Sequence, residues 1–267
     1  MMATDATRRL PGCIIIGGMK CGTTSLFRYL GNHPRVAPCK QKEPAFFAKN
    51  NWRRGVEWYQ RLFPDDDRIK LEASTNYTKF PNFGQVPERM AEVIPDARLV
   101  YIVRHPVDRL QSELIHNVRA GYLEYQQLSS QTFWENGIDF HIGCSKYYWQ
   151  LEQYFPHFNR DQICVVSVEE LSAEPVKTLN RILQFLDLPT GFFEGQVFTR
   201  FNAAARKSPK AFLRRMRTPR DLGHFKLTEA QRQFVWNACA ADLEQLESFM
   251  GRPLNYTAQT APAKSPG

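Results

Sequence analysis

A chain of 267 residues with 43% hydrophobic residues can build a sizeable core, which excludes a disordered polymer. Lysine and arginine outnumber aspartate and glutamate by 35 to 27, a formal charge of +8 with a pI near 9.2. That balance points to an anionic partner without choosing among nucleotide, nucleic acid, acidic glycan and membrane surface. No stretch is apolar for long enough to span a bilayer, and the run Cys13–Ile16 after Arg8 and Arg9 is too short for a signal peptide. Six cysteines show neither a C-x-x-C pair nor zinc spacing, so reduced thiols, no metal, no membrane segment and a cytoplasmic location are expected.

In chain order, residues 13–16 form an apolar, β-rich run ending in Gly17-Gly18, which predicts a buried first strand. A helix is predicted from Thr23 to Leu30, with Leu26, Phe27 and Leu30 on one side and Gly31 and Pro34 as stops. Residues 69–72 and 98–103 (RLVYIV) read as strands, and Pro106 opens a helix running to about Val118. Residues 147–158 are predicted helical, 163–168 (ICVVSV) as a strand, and 175–186 as a helix. Thr228 and Gln231 form a capping-box pattern before a helix that presents Val235, Cys239, Leu243, Leu246 and Met250 on one face and stops at Gly251. Strands alternating with helices predict an α/β fold, a central and mostly parallel sheet flanked by helices. With no internal repeat and no linker, a single domain over 1–267 is expected, with flexible ends at about 1–10 and 257–267.

The first strand–loop–helix reads C-I-I-I-G-G-M-K-C-G-T-T-S-L. Glycines let the backbone curl so that N–H groups converge, the helix N-terminus adds its positive end, and Lys20 adds a full charge. Gly22, Thr23, Thr24 and Ser25 complete a set suited to phosphate or sulfate, against the alternative of a tight turn whose hydroxyls cap a helix. The loop is not a Walker A motif, because Lys20 precedes Gly22, and no strand ends in an aspartate placed for magnesium. A second anion site is expected at the end of strand 98–103, where Arg104 is followed eight residues later by Ser112. The alternative there is Arg104 paired with Asp108 beside a solvated serine.

Together, G-x-x-K-x-G-T-T-S and V-R-H-P-x-x-R-x-x-S resemble the sulfotransferases that use 3′-phosphoadenosine-5′-phosphosulfate (PAPS). K-E-P-A-F-F at 42–47 and L-E-A-S-T-N-Y at 71–77 draw the likeness toward the branch with heparan sulfate sulfotransferases and bacterial relatives. The likeness runs from about 13 to 190, with a weaker echo at 201–210. It implies a P-loop-like nucleotide-binding sulfotransferase fold. It also implies that Lys20 and Gly22–Ser25 hold the 5′-phosphosulfate, and that Arg104 and Ser112 hold the 3′-phosphate. Arg206 and Lys207 would belong to a closing basic loop, with a surface charge run as the alternative.

Sulfuryl transfer requires a base for the acceptor proton and a cation at the leaving oxygen. Lys20 suits the cation. The resemblance implies Glu43 as base, and partial burial beside Pro44, Phe46 and Phe47 is expected to raise its pKa; the alternative is a surface pair with Lys42 or Lys40. His116 lies one helical turn beyond Ser112 on the same face, and the resemblance implies that it assists the acceptor side; the alternative is a structural hydrogen bond. The chain departs from its glycan-acting relatives in Glu72-Ala73-Ser74, where they often carry lysine in the middle. The expected acceptor is a small molecule or glycan hydroxyl, and the product is adenosine 3′,5′-bisphosphate (PAP). The alternatives are N-sulfation and a metal-dependent nucleotide or small-molecule kinase. No helix-turn-helix, zinc or RNP pattern supports a nucleic-acid partner.

Overall fold

The computed structural model describes residues 9–198, 222 and 224–258. Two compact units divide them: residues 9–103 with 150–198, and residues 104–149 with 222 and 224–258.

The first unit holds the whole sheet: β1 (Cys13–Ile15), β2 (Val36–Pro38), β3 (Ile69–Ala73), β4 (Arg98–Val103) and β5 (Ile163–Ser167), in the order β2-β3-β1-β4-β5. Every pairing is parallel, with Ile15 opposite both Ala73 and Val100. The continuous Ile/Val/Leu runs follow from this arrangement, since a parallel sheet buries both faces; every residue from Leu99 to Val103 is fully buried. The helices of this unit are α1 (Thr23–Gly31), α2 (Val56–Gln60) and α3 (Val86–Val93), with α7 (Val168–Ala173) and α8 (Pro175–Phe185) after β5. From β1 the chain moves to one side of the sheet, through β2 and β3, and from β4 to the other, through β5. The strand order therefore reverses between β1 and β4, and ligands of open α/β sheets bind at the carboxyl ends of strands flanking such a reversal.

The second unit is helical: α4 (Pro106–Ala120), α5 (Asp139–Gly143), the start of α6 (Tyr147–Glu152) and α9 (Glu229–Met250). Val107, Leu110 and Leu114 of α4 share a core with Phe133, Ile142, Val235 and Cys239. Fully burying each such leucine contributes about 1.5–3 kcal/mol. The Thr228–Gln231 capping box forms as the sequence predicts, with Thr228 Oγ1 accepting from the Gln231 N–H at 3.2 Å. Gly251 closes α9 at φ 67°, a left-handed conformation glycine adopts without cost. Among the described residues, no helix is long and apolar enough to cross a membrane.

Two sequence expectations are corrected. The helix expected over 147–158 ends at Glu152. Beyond it the chain tightens into three-residue turns, with the Tyr154 N–H on Leu151 O and the His157 N–H on Tyr154 O, because Pro156 disfavours α conformation in the residue before it. The strand expected to reach Val168 stops at Ser167, whose Oγ accepts from the Glu170 N–H at 3.1 Å and caps α7. The S-x-x-E spelling was the available signal for that helix.

Candidate active site

The loop after β1 is shaped by two left-handed residues, Lys20 (φ 73°) and Gly22 (φ 83°). Glycine is required at 22 twice over. Its φ disfavours any side chain, and a Cβ there would lie 2.8 Å from Val168 Cγ2. At Gly17 a Cβ would lie 2.2 Å from Ile102 Cγ2 and 2.8 Å from the Ile102 carbonyl oxygen, so β1 can leave the sheet against β4 only as glycine. Gly22 O accepts from the N–H groups of Ser25 and Leu26 at 3.0 and 3.2 Å, so α1 starts there. No side chain caps α1 and no acid sits in its first turn. The first N–H groups of a helix lack partners within it, and here they follow directly on Lys20, the chemistry of an anion cradle. Thr23 is buried, while Thr24 and Ser25 are half-buried.

Glu43 sits at the same end of the sheet, because its N–H donates to Ala73 O at 3.0 Å and Ala73 pairs with Ile15. Glu43 (φ 62°) and Ala45 (φ 48°) are both left-handed. The Glu43 carboxylate pairs with Lys42, accepts from Thr75 Oγ1 at 3.5 Å and is 42% exposed. The side chain is thus only partly buried, and no apolar shelf of Phe46 and Phe47 covers it. Phe46 and Phe47 turn inward instead, with Phe46 stacked on Tyr59 at 4.3 Å between centroids, and they leave the carboxylate at the surface. The Lys42 pairing weighed in the sequence thus forms.

Behind this turn lies a carboxyl that sequence reasoning passed over. Glu72 is fully buried and accepts from Ser74 Oγ (2.5 Å), Tyr59 Oη (2.6 Å) and Tyr77 Oη (2.9 Å). Burial pushes its pKa up to about 7 against the pull of those three hydroxyls, and the nearby Glu43 charge adds to the rise. The signal was a Glu-x-Ser at the end of a buried strand with tyrosines on both sides.

In the second unit, Arg104 directly follows the last residue of β4 in the chain and is half-buried. Tyr147, fully buried, holds its backbone: the Tyr147 hydroxyl donates to Arg104 O at 2.6 Å and accepts from the Arg104 N–H at 3.4 Å. Asp242 fixes the start of α6, accepting from the N–H groups of Tyr148 and Trp149 at 3.0 and 2.8 Å. Ser112 (half-buried) and His116 (exposed) lie one turn apart on α4, as their spacing predicts. Asp108, the alternative partner for Arg104, makes an ion pair with Arg232 at 3.7 Å.

The helix carrying Ser112 is anchored by Arg109, which is fully buried. Its guanidinium bonds Ser145 and the His141 carbonyl and pairs with Glu113 at 2.8 Å; His141 Nδ1 lies 3.2 Å from the same carboxylate. Arg206 and Lys207 lie outside the described residues. Among the described residues, no three His, Cys, Asp or Glu side chains group as metal ligands. A depression of about 490 Å³ lined by Asp96, Arg98, Asp161 and Asp187 lies at the opposite end of β4, away from the loop after β1.

Residues 10–213 match the sulfotransferase domain model. The chain is 31% identical over 200 residues to the bifunctional heparan sulfate N-deacetylase/N-sulfotransferase 1 of Caenorhabditis elegans, covering 70% of this chain and 23% of that protein. It is 29% identical over 209 residues to the human heparan sulfate glucosamine 3-O-sulfotransferase 5, covering 74% and 59%. The chain thus spans less than two thirds of the length of these curated relatives. The crystal structure of a sulfotransferase from Alicyclobacillus acidocaldarius superposes with a TM-score of 0.67 at 25% identity, over 91% of this chain and 97% of that one. A mouse sulfotransferase complexed with PAP shares the fold, with a TM-score of 0.54 at 15% identity over 90% and 89%. With a parallel sheet, a lysine-bearing loop after its central strand and a domain model matched from residue 10 to 213, the chain belongs to the sulfotransferase family.

Proposed function

We propose that the chain transfers a sulfuryl group from PAPS to the hydroxyl of a small-molecule or glycan acceptor. The observation that carries this reading is the pairing, at one sheet edge, of an uncapped α1 N-terminus behind Lys20 with Glu43 tied to the end of β3. Bound PAPS supplies the activated sulfuryl group; the rest is work for side chains. Gly22–Ser25 take the 5′-phosphosulfate, and Arg104 with Ser112 takes the 3′-phosphate. Glu43, at the surface where an acceptor reaches it, accepts the acceptor proton as the new O–S bond forms. Lys20 stabilises the phosphate oxygen left when the old S–O bond breaks. His116 orients the acceptor, and Arg206 and Lys207 belong to the nucleotide site. The kinase alternative has no support in the family match. The same groups would serve an amine acceptor, a second reading supported by the likeness to an N-deacetylase/N-sulfotransferase. The cysteine pattern of the sequence, with neither a C-x-x-C pair nor zinc spacing, supports a cytoplasmic location.

The test is thermal unfolding with PAP and with ATP plus Mg²⁺, joined to transfer from radiolabelled PAPS to fully desulfated heparin, which offers both amines and hydroxyls, and to 4-nitrophenol. PAP at ~100 times its Kd stabilises by about 2.7 kcal/mol, a rise of roughly 5–10 °C for a chain of this size. Lys20→Ala and Glu43→Ala each lower kcat by about 100-fold or more. Stabilisation by ATP and Mg²⁺ but not PAP would overturn the reading.

A further inference from the structure

Glu43 and Ala45 hold left-handed backbone conformations that L-residues rarely adopt, and such conformations persist only where their surroundings fix them. The turn between them is held chiefly from the end of β3. Ala73 O takes the Glu43 N–H at 3.0 Å, and Ser74 Oγ takes the Ala45 N–H at 3.0 Å. Ser74 can accept there because its single hydroxyl proton is committed to Glu72 Oε1 at 2.5 Å. Glu72 in turn is locked by Tyr59 and Tyr77, both on Oε2. Three hydroxyls on one buried side chain are matched by the two accepting oxygens of a carboxyl group better than by an amide, whose one accepting oxygen is joined to an NH₂ that would face the remaining hydroxyls. The set is fully buried at Glu72 and nearly so at Ser74 (1%). It lies beneath the carboxylate of the turn, that of Glu43, which is 42% exposed.

We propose that Glu72 and Ser74 are positioning residues that fix the Glu43 turn for proton acceptance, an inference resting on Glu43 as the base. Neither touches the acceptor. Ser74 clamps Ala45, and Glu72, oriented by two tyrosines, sets the direction of the Ser74 hydroxyl.

Two measurements on Ser74→Ala decide it. The first needs no acceptor: amide exchange by NMR at Ala45, with Leu99 in β4 as the internal control. Loss of the clamp accelerates Ala45 about 10-fold or more while Leu99 is unchanged, since local openings are independent of the sheet core. The second is transfer to fully desulfated heparin by Ser74→Ala, Glu43→Ala and the double variant. Ser74→Ala lowers kcat by about 10- to 100-fold with an unchanged KM for PAPS, the scale expected for a catalytic group displaced by about 1 Å. The double variant is no slower than Glu43→Ala alone, because Ser74 acts only through Glu43. Glu72→Gln, which preserves volume, shifts both readouts in the same direction and serves if Ser74→Ala folds poorly. Unchanged Ala45 exchange, or losses that multiply in the double variant, would overturn the inference. A Glu43→Ala variant with normal turnover would remove the base reading instead, and the exchange measurement would still decide whether Ser74 clamps the turn.

Discussion

Replacing Glu113 by glutamine keeps its volume but removes the charge that partners fully buried Arg109. Burial alone would raise the Glu113 pKa, but the Arg109 guanidinium and His141 more than reverse this and hold it down at about 2, against an ordinary 4.5. That separation of roughly 2.5 pH units, at ~1.36 kcal/mol each, makes the ionised carboxylate contribute about 3 kcal/mol at neutral pH. Removing one member of a buried pair costs about 3–5 kcal/mol by mutational precedent, in agreement. Because the folded-state pKa is depressed, this contribution is complete above 4.5 and is lost as pH falls toward 2. Urea unfolding of both proteins at neutral pH and at several acidic values measures it. Glu113→Gln is less stable by about 3 kcal/mol at neutral pH, and the gap narrows as the buffer passes below pH 4.5. A gap under about 1 kcal/mol at neutral pH, or one that ignores acid, would refute the reasoning.

Glu72 has the opposite sign. Its folded pKa is raised from 4.5 to about 7, so its contribution is complete below 4.5 and is lost as pH rises through 7. In Glu72→Gln that loss, up to about 3 kcal/mol, is absent, so the stability difference from the parent shifts in the variant's favour between pH 5 and pH 8. A pH-independent difference in urea midpoints would contradict this. Gly22→Ala forces a side chain into φ 83° and to 2.8 Å from Val168 Cγ2. It destabilises by about 2–4 kcal/mol in urea unfolding and weakens PAP binding in titration calorimetry. A variant within about 0.5 kcal/mol of the parent would mean the loop relaxes freely.

What the sequence determined by itself was local. The run RLVYIV marks β4, Thr228 and Gln231 mark the start of α9, and Gly22-Thr23 after a buried strand marks the turn into α1, because strand burial, helix capping and loop curvature are encoded within a few residues. The three-residue β2, which forms only by pairing with β3, carried no pattern of its own. Nor could the sequence decide which carboxylate is buried. By residue type Glu43 and Glu72 are alike, yet Glu43 ends exposed beside Lys42 while Glu72 ends beneath it, held by hydroxyls from positions 59, 74 and 77. Arg109, spelled within the Arg-x-x-Ser stretch, is buried against Glu113, Ser145 and the His141 carbonyl, contacts as far as 36 residues away. Burial and partners of charged groups are set by segments distant in the chain, and only the folded structure brings those segments together.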